Sequence, residues 1–193
     1  MALTRFPLEQ YASLELNQVA FPKTGMVVSQ VPLADTFTAS APCENGMWVV
    51  ADKAAGVIAA PAAATDKPIG IVYTTEKEYD YMHYGLKTFG RKIAGDYPRV
   101  GILGVGDTVT TNCFQYDSST YATMTALETA LKAAEAGTTP MYVVPGVSAT
   151  AAVAKAVPAL TTTKPGSGIY GKVVKYYTVP NGEKAIKYQI ISL

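Results

Sequence analysis

Short apolar and β-branched runs, separated by Gly, Pro and Asn, recur along most of the chain. They are GMVVSQV (25–31), GMWVVAD (46–52), GVIAAP (56–61), PIGIVYT (68–74), RVGILGV (99–105), DTVTTNCF (107–114), PMYVVPG (140–146), GKVVKYYTV (171–179) and EKAIKYQIISL (183–193). Runs of this kind at a spacing of roughly ten residues are typical of strands in a small β-barrel or β-sandwich. The pattern predicts a mainly β fold built from such modules.

One segment has the period of a helix instead. In YATMTALETALKAAEA (121–136) the apolar positions Met124, Leu127, Leu131 and Ala134 recur at helical spacing. Thr125 with Glu128 has the spacing of a capping box, and Gly137 is a helix stop. We expect one inserted α-helix whose apolar face packs on a sheet.

Two stretches of the chain share an order of motifs. Residues 45–74 and 139–178 each contain a Met-aromatic-Val-Val strand, an Ala-rich span, Lys-Pro and a Gly-led strand that ends in Tyr-Thr. This loose repeat indicates two related β modules, or one fold that uses the same hairpin twice. We divide the chain into an N-terminal arm (1–24), a β-barrel module (25–117), a helix with its connection (118–138), and a second module or the completion of the first (139–193).

The N-terminal arm lacks a regular hydrophobic period. Its apolar residues follow neither a strand nor a helix pattern, and Pro7 and Pro22 interrupt any regular element. Such an arm either attaches to another surface or wraps its own barrel. We predict that it contacts a partner through Phe6, Leu8, Tyr11 and Leu14, and that the barrel stays folded when residues 1–24 are removed.

A tyrosine-rich segment, EKEYDYMHYGLKTF (76–89), holds the only histidine. His83 lies among Tyr79, Tyr81 and Tyr84 and beside acidic residues, so general-base chemistry has to be weighed. No G-x-S-x-G elbow accompanies it, and one histidine does not make a metal site. Because tyrosine offers a large amphipathic surface at low entropic cost, we interpret these four residues as a contact loop.

The glycine-rich stretch RVGILGVGDTVTTN (99–112) raises the question of phosphate binding. Its glycines follow the order G-x-x-G-x-G, and the residues after Asp107 are strand-like, whereas a dinucleotide fingerprint needs G-x-G-x-x-G before a helix. We therefore predict a tight turn between two strands at Gly104 and Gly106. No cofactor is expected.

Composition and charge narrow the classes of function. The chain has 193 residues, of which 49% are hydrophobic, and a net charge of +1 without a dense basic run. Nucleic-acid binding is therefore not expected, because it rests on a clustered basic face. No signal peptide or membrane span is expected, and Cys43 and Cys113 are expected to be buried, reduced thiols.

Carboxylates near strand ends are candidates for glycoside hydrolysis, since catalytic pairs converge only in space. They are Glu44, Asp66, Glu76, Asp80 and Asp96, and none has a recognisable motif around it. We expect them to be solvated and the protein to be non-catalytic, without a metal.

The run from residue 45 to residue 190 resembles the capsid decoration (cement) proteins and related minor head proteins of tailed bacteriophages. In that family a small β-barrel module carries a PIG(I/V) strand and a VGD turn, which residues 68–72 and 105–107 match. The Ala/Thr-rich span 147–164 and the inserted helix depart from the family pattern, so the number of modules stays open.

The resemblance implies a structural virion protein that binds the outside of a phage capsid after synthesis in the host cytoplasm. Its partners would be the major capsid protein and copies of itself, as a trimer or a quasi-symmetric array, with no nucleic acid and no membrane. Two alternatives stay open. A carbohydrate-binding or head-fibre adhesion module would show an aromatic platform around Trp48 or the tyrosine loop, and a small β-barrel hydrolase would cluster carboxylates in one cleft.

Substitution of His83 distinguishes the interpretation as a contact residue from the interpretation as a catalytic base. We expect His83→Ala to weaken attachment to capsids or to change nothing, because the side chain contributes contact area and not chemistry. The measurement is capsid binding in parallel with a screen for turnover. A substrate that the wild type converts and the variant does not would contradict the interpretation.

Overall fold

The computed structural model describes residues 2–8, 12–15, 19, 21, 24–51, 54–74, 92–179 and 182–193. Within them eleven strands form two sheets beside one α-helix, α1 (Met124–Glu135), which confirms the predicted mainly β fold. The large sheet contains β1 (Leu3–Arg5), β6 (Thr108–Thr111), β7 (Gln115–Asp117), β8 (Tyr142–Val144), β9 (Ala159–Thr161), β10 (Tyr170–Thr178) and β11 (Lys184–Ser192). The small sheet contains β2 (Val27–Val28), β3 (Trp48–Val50), β4 (Ile69–Val72) and β5 (Val100–Ile102).

The strand order of the large sheet is β1-β7-β9-β8-β10-β11-β6, and that of the small sheet is β2-β5-β4-β3. Neighbours are antiparallel except β7 and β9, which pair in parallel at Gln115 and Ala159. The large sheet therefore takes strands from the arm, from residues 25–117 and from residues 139–193.

Chain connectivity forces the large sheet to curl. Five inter-strand spacings separate β7 from β6 in the strand order, about 24 Å across a flat sheet. Only four residue steps join Thr111 to Gln115, which span at most about 14 Å. The two strands can satisfy both conditions only if the sheet bends round so that its ends approach each other.

The two sheets pack face to face in a sandwich-like arrangement around a shared core. Trp48 on β3 and Tyr188 on β11 are both fully buried, and the Trp48 Nε1–H donates a hydrogen bond of 2.9 Å to the Tyr188 hydroxyl. Their rings meet edge to face at 5.9 Å. Burial raises the pKa of Tyr188, so the phenol stays protonated in this contact.

The predicted helix is present, and its apolar face lies where expected. Leu127, Leu131 and Ala134 are buried in the main core, and Gly137 follows the helix in a left-handed conformation with φ of 77°. The predicted capping box is wrong. Thr123 is the N-cap, because its side chain accepts from the Ala126 amide, whereas Thr125 lies inside the helix.

Helix α1 is held to the hairpin of β10 and β11 through its acidic side chains. The Tyr176 hydroxyl donates to Glu128 at 2.8 Å, and the Tyr176 amide donates to Glu135 at 3.3 Å. Both carboxylates therefore have structural partners on β10.

The glycine-rich stretch is the turn that the sequence predicts, and it carries the chain from the small sheet to the large one. β5 ends at Ile102, Gly106 has φ of 97°, and β6 begins at Thr108. The Asp107 carboxylate accepts from the Gly104 amide at 2.7 Å and is buried. The glycines thus serve the change from one sheet to the other.

The sequence repeat has a counterpart in strand pairing. In the first copy Val49 lies opposite Gly70 and Val50 pairs with Ala59; in the second, Val143 lies opposite Gly171 and Val144 pairs with Ala159. In both copies the Met-aromatic-Val-Val strand thus pairs with the Gly-led strand, and its last valine pairs with an alanine, through an isolated β-bridge in the first copy and through strand β9 in the second.

Gly101 on β5 offers a test of how residue 21 packs. A Cβ on Gly101 would lie 1.9 Å from Cζ of the Phe21 ring, whereas a Cβ on Gly166 would meet nothing within 4 Å. We expect Gly101→Ala to lower the free energy of unfolding by about 3 kcal/mol, because a buried ring has to move. Gly166→Ala, the control, should change it by less than about 0.5 kcal/mol. Urea unfolding measures both, and equal stabilities would contradict the packing of Phe21 on β5.

Candidate functional site

The N-terminal arm runs along β6 and β7, which follow each other in the chain. Residues 3–5 pair with β7, the Phe6 amide donates to the Phe114 carbonyl at 2.9 Å, and the Glu15 amide donates to the Thr110 carbonyl at 3.0 Å. Leu14 forms a β-bridge with Thr111. Of the two alternatives left open by the sequence, the described part of the arm therefore follows the second and wraps its own fold.

Aromatic side chains anchor the arm in the core. Phe6 is only 5% exposed and stacks on Phe114 with ring centroids 4.5 Å apart. Phe21 is 4% exposed and packs against Tyr73 at 4.9 Å. These rings fill space between the strands, so they are part of the hydrophobic core and not of a free surface.

An ion pair fixes the arm near its start. Arg5 Nη2 lies 2.6 Å from Glu44 Oε2, and the Glu44 side chain is 8% exposed while that of Arg5 is 34% exposed. The same guanidinium approaches Cys113 Sγ at 3.9 Å. Because Glu44 is largely withdrawn from water, the guanidinium compensates for part of its lost hydration.

A second polar cluster holds the arm at Ser13. The Ser13 hydroxyl donates to Glu183 Oε2 at 2.5 Å, and Asn112 Nδ2 donates to the same oxygen at 3.1 Å. The Ser13 amide donates to Asn112 Oδ1 at 2.6 Å, and its carbonyl accepts from the Thr111 hydroxyl at 2.6 Å. Ser13 is thus bound through its side chain and both backbone groups.

The Ser13 cluster has the composition of an anchor and not of a nucleophile. Activation of a serine needs a base that takes its proton, usually an imidazole held by a third group. Glu183 instead accepts two hydrogen bonds in a buried position next to strand β11. In the described part of the chain, no group of three or more His, Cys, Asp or Glu side chains could hold a metal ion.

The two cysteines are buried free thiols, as the sequence predicts. Burial raises the pKa of Cys113 to about 11, and it raises the pKa of Cys43 further above its usual range. Thiolates are therefore not formed at neutral pH, and neither side chain is set up as a nucleophile.

The residues predicted to contact a partner lie in different environments. Phe6 belongs to the core, whereas Leu8 and Leu14 are half-buried along the arm. Tyr11, Tyr79, Tyr81, His83 and Tyr84 lie outside the described residues. Removal of residues 1–24 takes Phe6 and Phe21 out of the core, so we expect it to lower the stability of the fold; that the barrel stays folded without the arm stays a prediction.

The candidate catalytic carboxylates that the structure describes have structural roles. Glu44 pairs with Arg5, Asp66 accepts from the amides of Ala62 and Ala63, and Asp96 accepts from the Ile93 amide. Glu76 and Asp80 lie outside the described residues. These three carboxylates thus serve an ion pair and two turns.

A surface that the sequence analysis did not single out lies at the edge of the small sheet. Segment 26–33 runs antiparallel to segment 95–102, with the Ile102 amide donating to the Met26 carbonyl and the Leu33 amide to the Asp96 carbonyl, both at 2.9 Å. Met26 and Val27 are 54% and 37% exposed. On the opposing segment Tyr97 is 62% exposed. We call Met26, Val27 and Tyr97 the apolar edge.

A small apolar cavity of about 210 Å³ opens near the apolar edge. Its wall consists of Pro68, Ile69, Ile102, Leu103, Ile169 and Leu193, with Thr24, Asp66 and Lys67 completing it. Pockets for drug-sized ligands usually exceed about 300 Å³. The volume therefore suits one inserted side chain better than a cofactor.

No protein-family model, curated protein or solved structure matches this chain. Along the described residues, no helix has the length and apolar composition needed to cross a bilayer.

The pairing of Arg5 with Glu44 predicts a coupled loss of stability. We expect Arg5→Met to lower the free energy of unfolding by about 2 kcal/mol, because it leaves the buried Glu44 without its guanidinium. The double variant R5M/E44Q should lose less than the sum of the two single variants. Urea unfolding measures the cycle, and Lys132→Met on the exposed face of α1 is the control. Strict additivity would contradict an energetic role for the pair.

Proposed function

We propose that the protein is a non-catalytic structural protein of a phage particle that binds the outer surface of the capsid and stabilises or decorates it. The observation that carries the proposal is the apolar edge, where Val27 on the outermost strand of the small sheet and Met26 just before that strand lie exposed. Exposed apolar residues grouped on a sheet edge are typical of protein contact sites.

The form of the edge suits attachment to a large flat partner. β2 has two residues and pairs on one side with β5, through Val27 with Gly101 and Val28 with Val100. Side chains of Met26, Val27 and Tyr97 can enter shallow depressions of a shell, while the nearby cavity can receive one side chain from it.

Repetition on a lattice strengthens a contact of modest size. A specific protein contact buries about 1,000 Å² or more, and the apolar edge supplies the centre of such a patch. When many copies bind one shell, contacts between copies add to each single attachment. The hydrogen bond from Trp48 to Tyr188, which joins the two sheets, fits such a role.

The alternative function, a carbohydrate-binding or head-fibre adhesion module, needs an exposed aromatic platform, and one of the two candidates for that platform is buried. Trp48 is fully buried and its indole N–H is bound to Tyr188, so it offers no platform for a sugar ring. The other candidate, the tyrosine loop, lies outside the described residues. The edge favours the capsid proposal over this alternative because its exposed side chains are mainly aliphatic.

Substitution of the edge tests the proposal. We expect Met26→Ser with Val27→Thr to lower occupancy on shells of the matching major capsid protein by about tenfold, because two apolar contacts are lost. Val105→Thr, at a residue 49% exposed on the turn between β5 and β6, is the matched control and should bind within about twofold of wild type. Co-sedimentation with purified shells measures occupancy.

Thermal unfolding of the three proteins shows whether the fold is kept, and exposed substitutions should change stability little. Failure of the wild type to sediment with shells would refute the proposal. Equal occupancy of wild type and the edge variant would refute the role of the apolar edge.

A further inference from the structure

The outer face of the hairpin β10–β11 carries a row of basic and aromatic residues. Val173 and Tyr188 are buried, whereas Lys175 and Lys187, which are direct partners in the pairing register, lie on the outer face. The change of face between Val173 and Lys175 occurs at an irregularity in the pairing register. Tyr177, two residues from Lys175, is on the same outward face. We call Lys172, Lys175, Tyr177 and Lys187 the lysine face.

Two like charges lie opposite each other on this face without a compensating acid. In an antiparallel pair, directly opposed side chains are close, and like charges there are destabilising. Among the described residues, no carboxylate lies within 4.0 Å of the ammonium group of Lys175 or Lys187. Both ammonium groups instead lie over the Tyr177 ring, at 5.3 Å and 6.0 Å from its centroid.

The direct strand partners of Lys172 are not acidic either. Lys172 pairs with Gln189 on one side and with Tyr142 on the other. From residue 170 to the end, the chain has four lysines and one acid, Glu183, which is buried at the Ser13 cluster. The remaining 169 residues contain twelve basic and fourteen acidic residues, so the positive charge is concentrated on this hairpin.

A β-bulge lies at the centre of the face. The register shifts between Val173 and Lys175, which leaves Val174 without a partner and 47% exposed. Ile191 on β11 is 41% exposed. Bulges re-aim side chains and occur often beside functional sites, and here one brings an apolar group next to the lysine pair.

We infer that the lysine face binds a cluster of carboxylates on an acidic protein surface. The ammonium pair supplies the charge, and the exposed Val174 and Ile191 match the aliphatic surroundings of a protein partner. A sugar or a nucleic-acid base would need a free aromatic ring on which to stack, but Tyr177 already contacts two ammonium groups. Under the proposed function, the acidic surface is that of the capsid shell. Only this last statement rests on the proposed function.

Titration of the full chain with poly-L-glutamate tests the inference without a capsid. We expect amide chemical-shift changes in NMR spectra to concentrate at Lys172, Lys175, Tyr177 and Lys187, and to fade when NaCl rises from about 50 to 300 mM, because exposed ion pairs are screened. Duplex DNA at equal charge concentration should bind more weakly. Tighter binding of DNA, or shifts spread evenly over all lysines, would overturn the inference.

A pair of charge-matched variants locates the effect. Lys175→Gln with Lys187→Gln should weaken poly-L-glutamate binding about tenfold, whereas Lys132→Gln with Lys164→Gln, which removes the same charge from exposed sites elsewhere, should weaken it by less than about twofold. Equal losses in the two variants would overturn the inference. If the wild type and the K175Q/K187Q variant sediment with shells equally well, the proposed function is kept. That result would refute only the statement that the shell binds the lysine face.

The melting temperature distinguishes a binding role of Lys175 and Lys187 from a purely structural one. Removal of the opposed charges should leave the melting temperature of K175Q/K187Q unchanged or raise it by about 1–3 °C, while binding is lost. A marked fall in the melting temperature would show that the lysines serve the fold, and it would overturn the inference.

Discussion

The hydrogen bond between Trp48 and Tyr188 joins the two sheets inside the hydrophobic core that they share. Trp48 belongs to the small sheet and Tyr188 to the large one, both are fully buried, and each satisfies the polar group of the other. A buried donor or acceptor left without a partner costs about 1–3 kcal/mol, so either residue alone would weaken the core. The pairing registers of Trp48 with Ile71 and of Tyr188 with Val173 therefore have to be correct at the same time, because a slip of one residue turns a side chain to the opposite face.

The second constraint is the continuity of β6 and β7, and it explains why the arm is part of the fold. β6 and β7 lie near opposite ends of the large sheet but are joined by only three residues, so the sheet bends until these two strands approach each other. We call this junction of β6 and β7 the seam. Residues 3–6 and 13–15 bond to this seam, and Phe6 fills the space beside Phe114. The two polar anchors, Arg5 with Glu44 and Ser13 with Glu183, hold the arm at two points along this seam. The seam, and not a foreign surface, is what orders this segment.

Features set by local sequence could be predicted, and those set by long-range packing could not. The helix and the Gly104–Gly106 turn follow from periodicity and from backbone freedom at glycine, and the buried thiols follow from the preference of free cysteine for the interior. The N-cap was misplaced by two residues because Thr123 and Thr125 both offer a hydroxyl, and only the packing of Leu127 and Leu131 decides which one starts the helix. The arm has no period, since its residues contact the seam at irregular intervals. The apolar edge was missed because the run at 25–31 does not show which of its valines lies outward.

The apolar edge also shows how the fold limits the hazard of an exposed strand. Unpaired edges recruit other strands through their backbone groups, and proteins restrict this by keeping edge strands short or distorted. β2 has two residues, and it is flanked by Gly25 with φ of 59° and Gln30 with φ of 69°, conformations that do not continue a strand. A left-handed glutamine is uncommon, and residues held in sparsely populated conformations cluster where structure serves a contact. The backbone on either side of β2 therefore turns away from strand addition while Met26 and Val27 stay exposed, so the edge is suited to recognition through side chains and not to the growth of a sheet.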